Sequence, residues 1–590
     1  MSYFTQQILK NKSKSCLFEY NGIRNFFIFL QQNDWYYSNF EYLSSFKTGI
    51  IIKAIDSISK KQLGILLLIK SEDLPAQITQ DKIIQTYQIP LNDETFYTAI
   101  EFQLDQDLED QFRFYNLLLI NEDLQKVKYA QIPDRKKKFT LPEIDLFTNK
   151  ISQCIQLLQL NIQLFDNPIT PILAFNLIES ISQCQQIKEL VLDLGWCNLG
   201  NCEVRWIENL ARCQSITTLH INLESNNINK DDIKIIGTAL ENLINIDNLY
   251  LGLQYNNIKE HGFNSLIRSI SKLKNLTSLN LDLYKNQIEN DEIIEFGIDQ
   301  CGLLTDLTLN LNQNYIQSEG AKSIGQAIQS ISKLQKLNLF LGKCYIREGI
   351  QYIAKGVSNC HNLQILNLDL KINNIECSDQ EIGNAIGNQK KLSHLSLIFT
   401  ENQFLDSKFL TSFLNDLGSC SSLKELKFDF QNCAIDCLGL KVLGKNISQC
   451  EKLESLHVNI SHNQLFEKGI LDFLQEIAKC QKLFKLELIQ KYSDFWELKD
   501  IEQPEQLGML IKSITKLSIL QLILYQFSLS SEYFEQIVKQ LRQCNKLNTL
   551  DFTFSKKVYS RHEQYGKNYV NLIKCKRLVQ YQQYKEFMQK

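Results

Sequence analysis

The chain has 590 residues, with 63 Lys and Arg against 66 Asp and Glu, a formal net charge of −3, and 17 cysteines. So even a balance gives no general pull toward nucleic acid or an anionic membrane. The length exceeds what one compact core fills, so the chain must be several domains or an array whose core lengthens unit by unit.

The amino terminus, MSYFTQQILKNKSKSC, has no continuous apolar run and no small-residue cleavage site, so no secretory signal is expected. The most apolar stretches, 26–30 and 50–69, are short or broken by Lys53, Asp56, Lys60 and Lys61, and no membrane span is expected. Residues 1–138 form a separate, non-repetitive domain. Within it Tyr42 to Ile69 predicts two or three strands, turning at Lys47-Thr48-Gly49 and Ser59-Lys60-Lys61-Gln62. Phe114 to Ile120 is a second apolar stretch, and the basic patch Arg135 to Lys138 reads as a linker.

The string GIIIKAIDSISKKQLGILLLIK resembles the opening strands of a eukaryotic protein kinase small lobe, with Gly49, Lys53, Ala54 and Asp56 in frame. Further on, residues 139–158 and 161–173 resemble the kinase helix and catalytic loop, which would set Asp166 at the catalytic-base position. The groups that phosphoryl transfer needs are replaced. Leu66 stands for the phosphate-binding lysine, Ser44 and Phe46 for two loop glycines, Leu164 and Phe165 for His and Arg, and Pro171 for the loop Asn; no D-F-G follows. The resemblance therefore implies a degenerate kinase-like domain with no catalytic residue and no cofactor. The same residues 160–169 also satisfy the repeat described next, and that reading takes precedence there.

From residue 139 to 557 one pattern recurs. Its clearest copy is SKLQKLNLFLGKCYI, with Leu334, Leu337, Leu339, Leu341, Cys344 and Ile346. The first strand leucine of each copy falls at Leu160, Leu190, Leu219, Leu249, Leu279, Leu307, Leu337, Leu366, Leu395, Leu426, Leu456, Leu486, Leu520 and Leu550, mostly at 28 to 31 residues. The pattern resembles the leucine-rich-repeat signature, extended by two residues on its strand side. After each strand comes a helical stripe, as in Ile324, Ala327, Ile328 and Ile331. Repeats of this length with long helices resemble the ribonuclease-inhibitor class, which is intracellular. The fold class that follows is an α/β solenoid of about 14 repeats, a horseshoe with a parallel concave sheet and convex helices, behind a small α/β or α+β N-terminal domain. Residues 558–590, a partial repeat rich in Lys and Arg, would cap it.

Nine cysteines lie six residues before a strand leucine, and Cys197, Cys344 and Cys433 take the place held by Asn226, Asn256, Asn286 and Asn314. Without C-x-x-C pairs they read as small buried hydrophobes in a reducing compartment. The Asn series should be structural, its amides serving the turn that leaves each strand. No His pairs with Cys or His at ligand spacing, so no metal is expected.

Because strand side chains alternate, the leucines face the core and the residues between them face outward. The outward candidates for partner binding are Asp193, His220, Asn222, Tyr250, Asp282, Tyr284, Asn310, Phe340, Asp369, Lys371, Ile398, Lys427, Asp429, His457, Asn459, Lys491 and Tyr525. The expected function is a monomeric cytoplasmic scaffold that binds a partner protein through this face, without catalysis, nucleic acid or membrane. Alternatives are a nucleotide-linked signalling protein using the kinase-like domain, or a small-GTPase regulator, since similar repeats occur in Ran GTPase-activating proteins.

Overall fold

The computed structural model describes residues 38–46, 49–56, 62–70, 83–90, 96–102, 129–132 and 139–555, the last without 201–203, 290–295, 376–380, 403–415, 464, 492–498, 501–502, 529–535, 538 and 542. The expected turns at 47–48 and 59–61, the stretch Phe114 to Ile120, the patch Arg135 to Lys138 and the cap 558–590 lie outside the described residues. The chain groups into two compact units, 1–164 with 180–192, and 165–179 with 193–590.

In the first unit Ser38–Phe46, Gly49–Asp56, Gln62–Lys70, Ile83–Pro90 and Phe96–Phe102 form an antiparallel sheet in the order first, second, third, fifth, fourth. The first three are the strands predicted from the Ile-rich run, whose β-branched residues suit a pleated surface. The last two were not anticipated. The same unit holds the helix Leu141–Ile151 and a parallel pair, Tyr129–Ile132 with Gln159–Gln163, in which Ala130 lies opposite Leu160. That pairing adds a strand in repeat register before the first leucine copy.

In the second unit the strands are parallel and follow sequence order from Thr218–Asn222 to Thr549–Ser555, leucine opposite leucine at every step, as in Leu219 with Leu249 and Leu337 with Leu366. The short strand Lys499–Asp500 joins the far end of Ile519–Ser528. Among the described side chains, each leucine and the apolar residue two places on are buried, Leu337 and Leu339 fully. They share a core with the helices that follow: Leu366 and Leu368 line one small cavity with Ile353 and Val357 of one helix and Ile382 and Ile386 of the next. Neighbouring helices approach to backbone contact. A Cβ on Gly325, in Gln317–Ser330, would lie 2.2 Å from the Tyr352 carbonyl oxygen of Ile350–Ser358.

The helical stripe is realised as predicted in Gln317–Ser330, where Ile324, Ala327 and Ile328 are buried. Lys230–Glu241 starts with a capping box, Asn229 accepting from the Asp232 N–H while the Asp232 carboxylate accepts from the Asn229 N–H. Other copies carry a 3-10 helix in that place, as in Val204–Arg212, where Val204, Trp206, Ile207 and Leu210 are buried, and in the shorter Gly297–Gln300 and Leu417–Ser419.

Each strand leads into a turn with the same unusual backbone. In eleven successive copies, from Asp166 to His462, the sixth residue after the leucine is a non-glycine with φ between 51 and 59°. Its N–H donates to the carbonyl just before the matching turn of the next copy, as from Ser225 to Gln254 at 2.9 Å and from Lys343 to Lys371 at 2.8 Å. A left-handed L-residue costs about 1–2 kcal/mol, so this ladder and the asparagines beside it must hold the turn. Asp166, at the kinase-like base position, is one of these turn residues.

Candidate binding face on the parallel sheet

The asparagines after the turn are buried and structural, as their place in the repeat predicts. Asn314 accepts from the Asn286 and Ile288 N–H groups and donates to the Leu283 and Leu311 carbonyls, at 2.9 to 3.1 Å. Asn256, Asn373, Asn402 and Asn463 repeat the scheme. Where Cys344 replaces Asn, its thiol donates to Leu311 and Gly342 carbonyls. A thiol is a poor acceptor, so the other half of the amide's role is lost.

The cysteines six places before the leucine are also buried, apart from the half-buried Cys544, and several thiols point back one repeat, as Cys184 to Ile151 and Cys420 to Ile386 carbonyls at 3.1 and 3.0 Å. Burial pushes the Cys213, Cys360 and Cys480 thiols up to about 12. No disulfide joins two cysteines among the described residues.

The outward residues form three rows across the strands. In the row one place after the leucine, His220 stacks on Tyr250 at 3.8 Å, Asn338 donates to Thr308, and Asn367 donates to Asn338. Further along, Lys427 is exposed and His457 pairs with Glu487. Burial alone would raise the Glu487 carboxyl, but hydrogen bonds from Lys485 and His457 hold it below its usual range.

In the third-place row an acid is followed by an amide three times. Asn222 donates to Asp193, Asn310 to Asp282 and Asn459 to Asp429, at 2.7, 2.9 and 3.1 Å. Asp193, Asn222 and Asp369 are buried by their neighbours rather than presented to solvent. Asp369 holds Lys371 at 3.0 Å, and Phe340 and Ile398 stay half-buried. Burial pushes the Asp282 carboxyl up, the Tyr284 N–H and Asn310 amide offset this in part, and the charge of Glu224 adds to the rise.

The fifth-place row contains Tyr284, Lys371 and the exposed Lys491. Reasoning from sequence missed Glu224, Gln254 and Asn312 in this row, although their position relative to the leucine is the signal that picked out Tyr284. Glu224 accepts from Trp196 and Gln254 side chains, and Asn312 reaches Asp369 at 3.4 Å. Tyr525 sits on Ile519–Ser528, with its side chain outside the described residues. At the sheet edge Tyr255 packs edge-on against Tyr284, and Tyr315 stacks on Tyr345 at 5.4 Å.

Among the described residues no group of His, Cys, Asp and Glu is arranged to hold a metal ion, and no helix is long and apolar enough to cross a membrane. Comparison with protein-family models and with curated proteins finds no match.

Proposed function

We propose that this chain is a non-catalytic protein-binding solenoid, similar to the ribonuclease-inhibitor class of leucine-rich repeats, that receives a partner protein on the outward, concave face of its parallel sheet. One observation carries the reading. Strand after strand holds the same backbone frame and the same buried leucines, while the outward residues differ from copy to copy, which is how a rigid surface acquires a specific pattern. The mostly buried thiols, not joined in disulfides among the described residues, support a reducing, cytoplasmic setting. The test is retention of proteins from lysate by the full chain against His220→Ala/Tyr250→Ala and Phe340→Ala/Lys371→Ala variants. Loss of the same partner with either variant, at unchanged circular dichroism, supports the reading. Equal retention by all three overturns it.

A second reading concerns the N-terminal sheet, which we take as a degenerate kinase-like lobe without phosphoryl transfer. Leu66 lies within the strand Gln62–Lys70, opposite Ile52, which is the strand placement a phosphate-binding lysine has in a kinase. Leucine there brings no charge to the phosphates. A saturable thermal shift of the full chain with ATP and magnesium would overturn this reading.

A further inference from the structure

We propose that the edge of the second unit at which its parallel strands begin is a docking surface for an anionic lipid membrane, held by a row of unpaired lysines and a few apolar side chains on stacked turns. This goes beyond the reading of the outward face and does not depend on it.

Every index leucine from Leu219 to Leu550 is reached through the same turn. The N–H three places before the leucine donates to the carbonyl six places before it, in all twelve copies at 3.0 to 3.3 Å, as from Leu453 to Cys450 and from Leu547 to Cys544. The two residues between them are the tip of the turn. Successive turns are tied together. The N–H two places before the leucine donates to the same carbonyl of the preceding copy, as from Asn548 to Ser518, Ser518 to Phe484, Phe484 to Glu454 and Glu454 to Lys424, at 2.7 to 2.9 Å. One turn geometry joined in this way sets its tips in a row.

The tips carry one sign of charge. The second tip residue is Ser215, Asn245, Asn275 and Leu303 in the first four of these copies, and Lys333, Lys391, Lys452, Lys482, Lys516 and Lys546 in six of the next eight. Lys274 and Lys390 add two more at the first tip position, and Glu451 is the one acid at either position. Across the whole chain acids outnumber bases, 66 to 63, so composition does not account for eight lysines against one acid. All eight are exposed. Elsewhere on this edge lysines do pair, Lys424 with Glu454, Lys479 with Glu476 and Lys485 with Glu487, but among the described residues no tip lysine has a carboxylate within ion-pair distance. The turn does not call for lysine, since four copies form it with neutral residues. Strands one copy apart lie about 4.8 Å from each other, so like charges on neighbouring tips repel, and a negative surface outside the chain would offset that repulsion.

Apolar side chains on the same turns select the kind of negative surface. Ile244 and Leu303 are tip residues 58% and 41% exposed, and Phe484, two places after Lys482, is 40% exposed. Lysines at the level of headgroup phosphates, with apolar side chains among them that enter the acyl boundary, make a peripheral membrane surface. Arginine, the residue that grips a single carboxylate or phosphate with two hydrogen bonds, stands at no tip. Lysine is a point charge on a flexible stem, which suits a field of headgroups rather than one fixed anion. Single-stranded nucleic acid is held by stacking on aromatic rings, and Phe484 is the one ring on these turns.

The experiment is co-sedimentation of the full chain with vesicles of phosphatidylcholine and phosphatidylserine, against vesicles of phosphatidylcholine alone, at physiological salt. Expected are at least about tenfold tighter binding to the anionic vesicles, and loss of most of that preference in Lys452→Gln/Lys482→Gln/Lys516→Gln/Lys546→Gln. Lys230→Gln/Lys234→Gln/Lys355→Gln/Lys468→Gln removes the same charge from exposed helix positions and should bind as the parent does. Leu303→Ser/Phe484→Ser, with every lysine kept, should bind about threefold more weakly. No binding to the anionic vesicles, equal binding to both kinds, equal loss in the two lysine variants, no effect of the apolar pair, or tighter binding of RNA or of a glutamate peptide than of the vesicles overturns the proposal. None of these substitutions lies on the outward face, so retention of the partner from lysate tests that reading separately.

Discussion

The two sides of each strand behave as different regions. On the covered side the same letters return in copy after copy, Leu, then Leu, then Asn or Cys, and each does the same job with the same partner one repeat away. On the open side the letters change, and what they contact changes with them: a stacked ring pair at His220 and Tyr250, an acid–amide pair at Asp429 and Asn459, an ion pair at Lys371 and Asp369. The covered side is answerable to the backbone, whose N–H and C=O groups recur at every step and must be satisfied at every step. The open side is answerable only to its neighbours and to whatever binds it. Substitution should therefore cost stability on one side and specificity on the other.

The sharpest way to break that contrast is at the asparagine ladder. Asn314→Ala strands two buried N–H groups and two carbonyls, and a loss of about 4 kcal/mol is expected in urea unfolding followed by circular dichroism. A loss below about 1 kcal/mol would show that water replaces the amide and that the ladder is not what holds the turn. Next is the core itself. Leu337→Ala, at a fully buried site, should cost about 3 kcal/mol.

A third measurement varies pH. Unfolded thiols ionise near 9, whereas burial holds Cys213, Cys360 and Cys480 at about 12 in the folded chain. Because the folded value is the higher, the stability from keeping each thiol neutral is complete below pH 9 and is lost as pH rises toward 12. The expected slope above pH 9 is about 1.4 kcal/mol per pH unit per thiol. Replacing the three by alanine should flatten the fall in Tm; an unchanged slope would place its origin elsewhere. The smallest effect is on the open side. Tyr250→Ala removes a half-buried stack on His220 and should cost about 1 kcal/mol of stability. A loss as large as that of Leu337→Ala would erase the distinction between the two sides.

The leucine register was legible because parallel strands one repeat apart must present the same face to one core, which prints a period into the chain. The role of the asparagines was legible for the same reason. The strand Tyr129–Ile132 was not, since Ala130 stands where the index leucine would be and the period breaks. Nor was the 3-10 form of Val204–Arg212 read in advance. Among the outward candidates, sequence placed each at the right position of its strand, but it offered Asp193, Asn222 and Asp369 as surface groups when their neighbours bury them. It also passed over Glu224 and Gln254, which only matter through side chains about 30 residues away.

Sequence by itself determined what repeats: the strand positions, the buried leucines, the thiols without disulfide partners and the structural amides, because each is fixed by a backbone requirement that returns with every copy. Only the tertiary structure decided what the unrepeated residues do. Whether a carboxylate meets an imidazole, as Glu487 meets His457, or is left among neutral donors, as Glu224 and Asp282 are, depends on which strand lies beside it, and lateral neighbours in a parallel sheet are set by stacking rather than by adjacency in the chain.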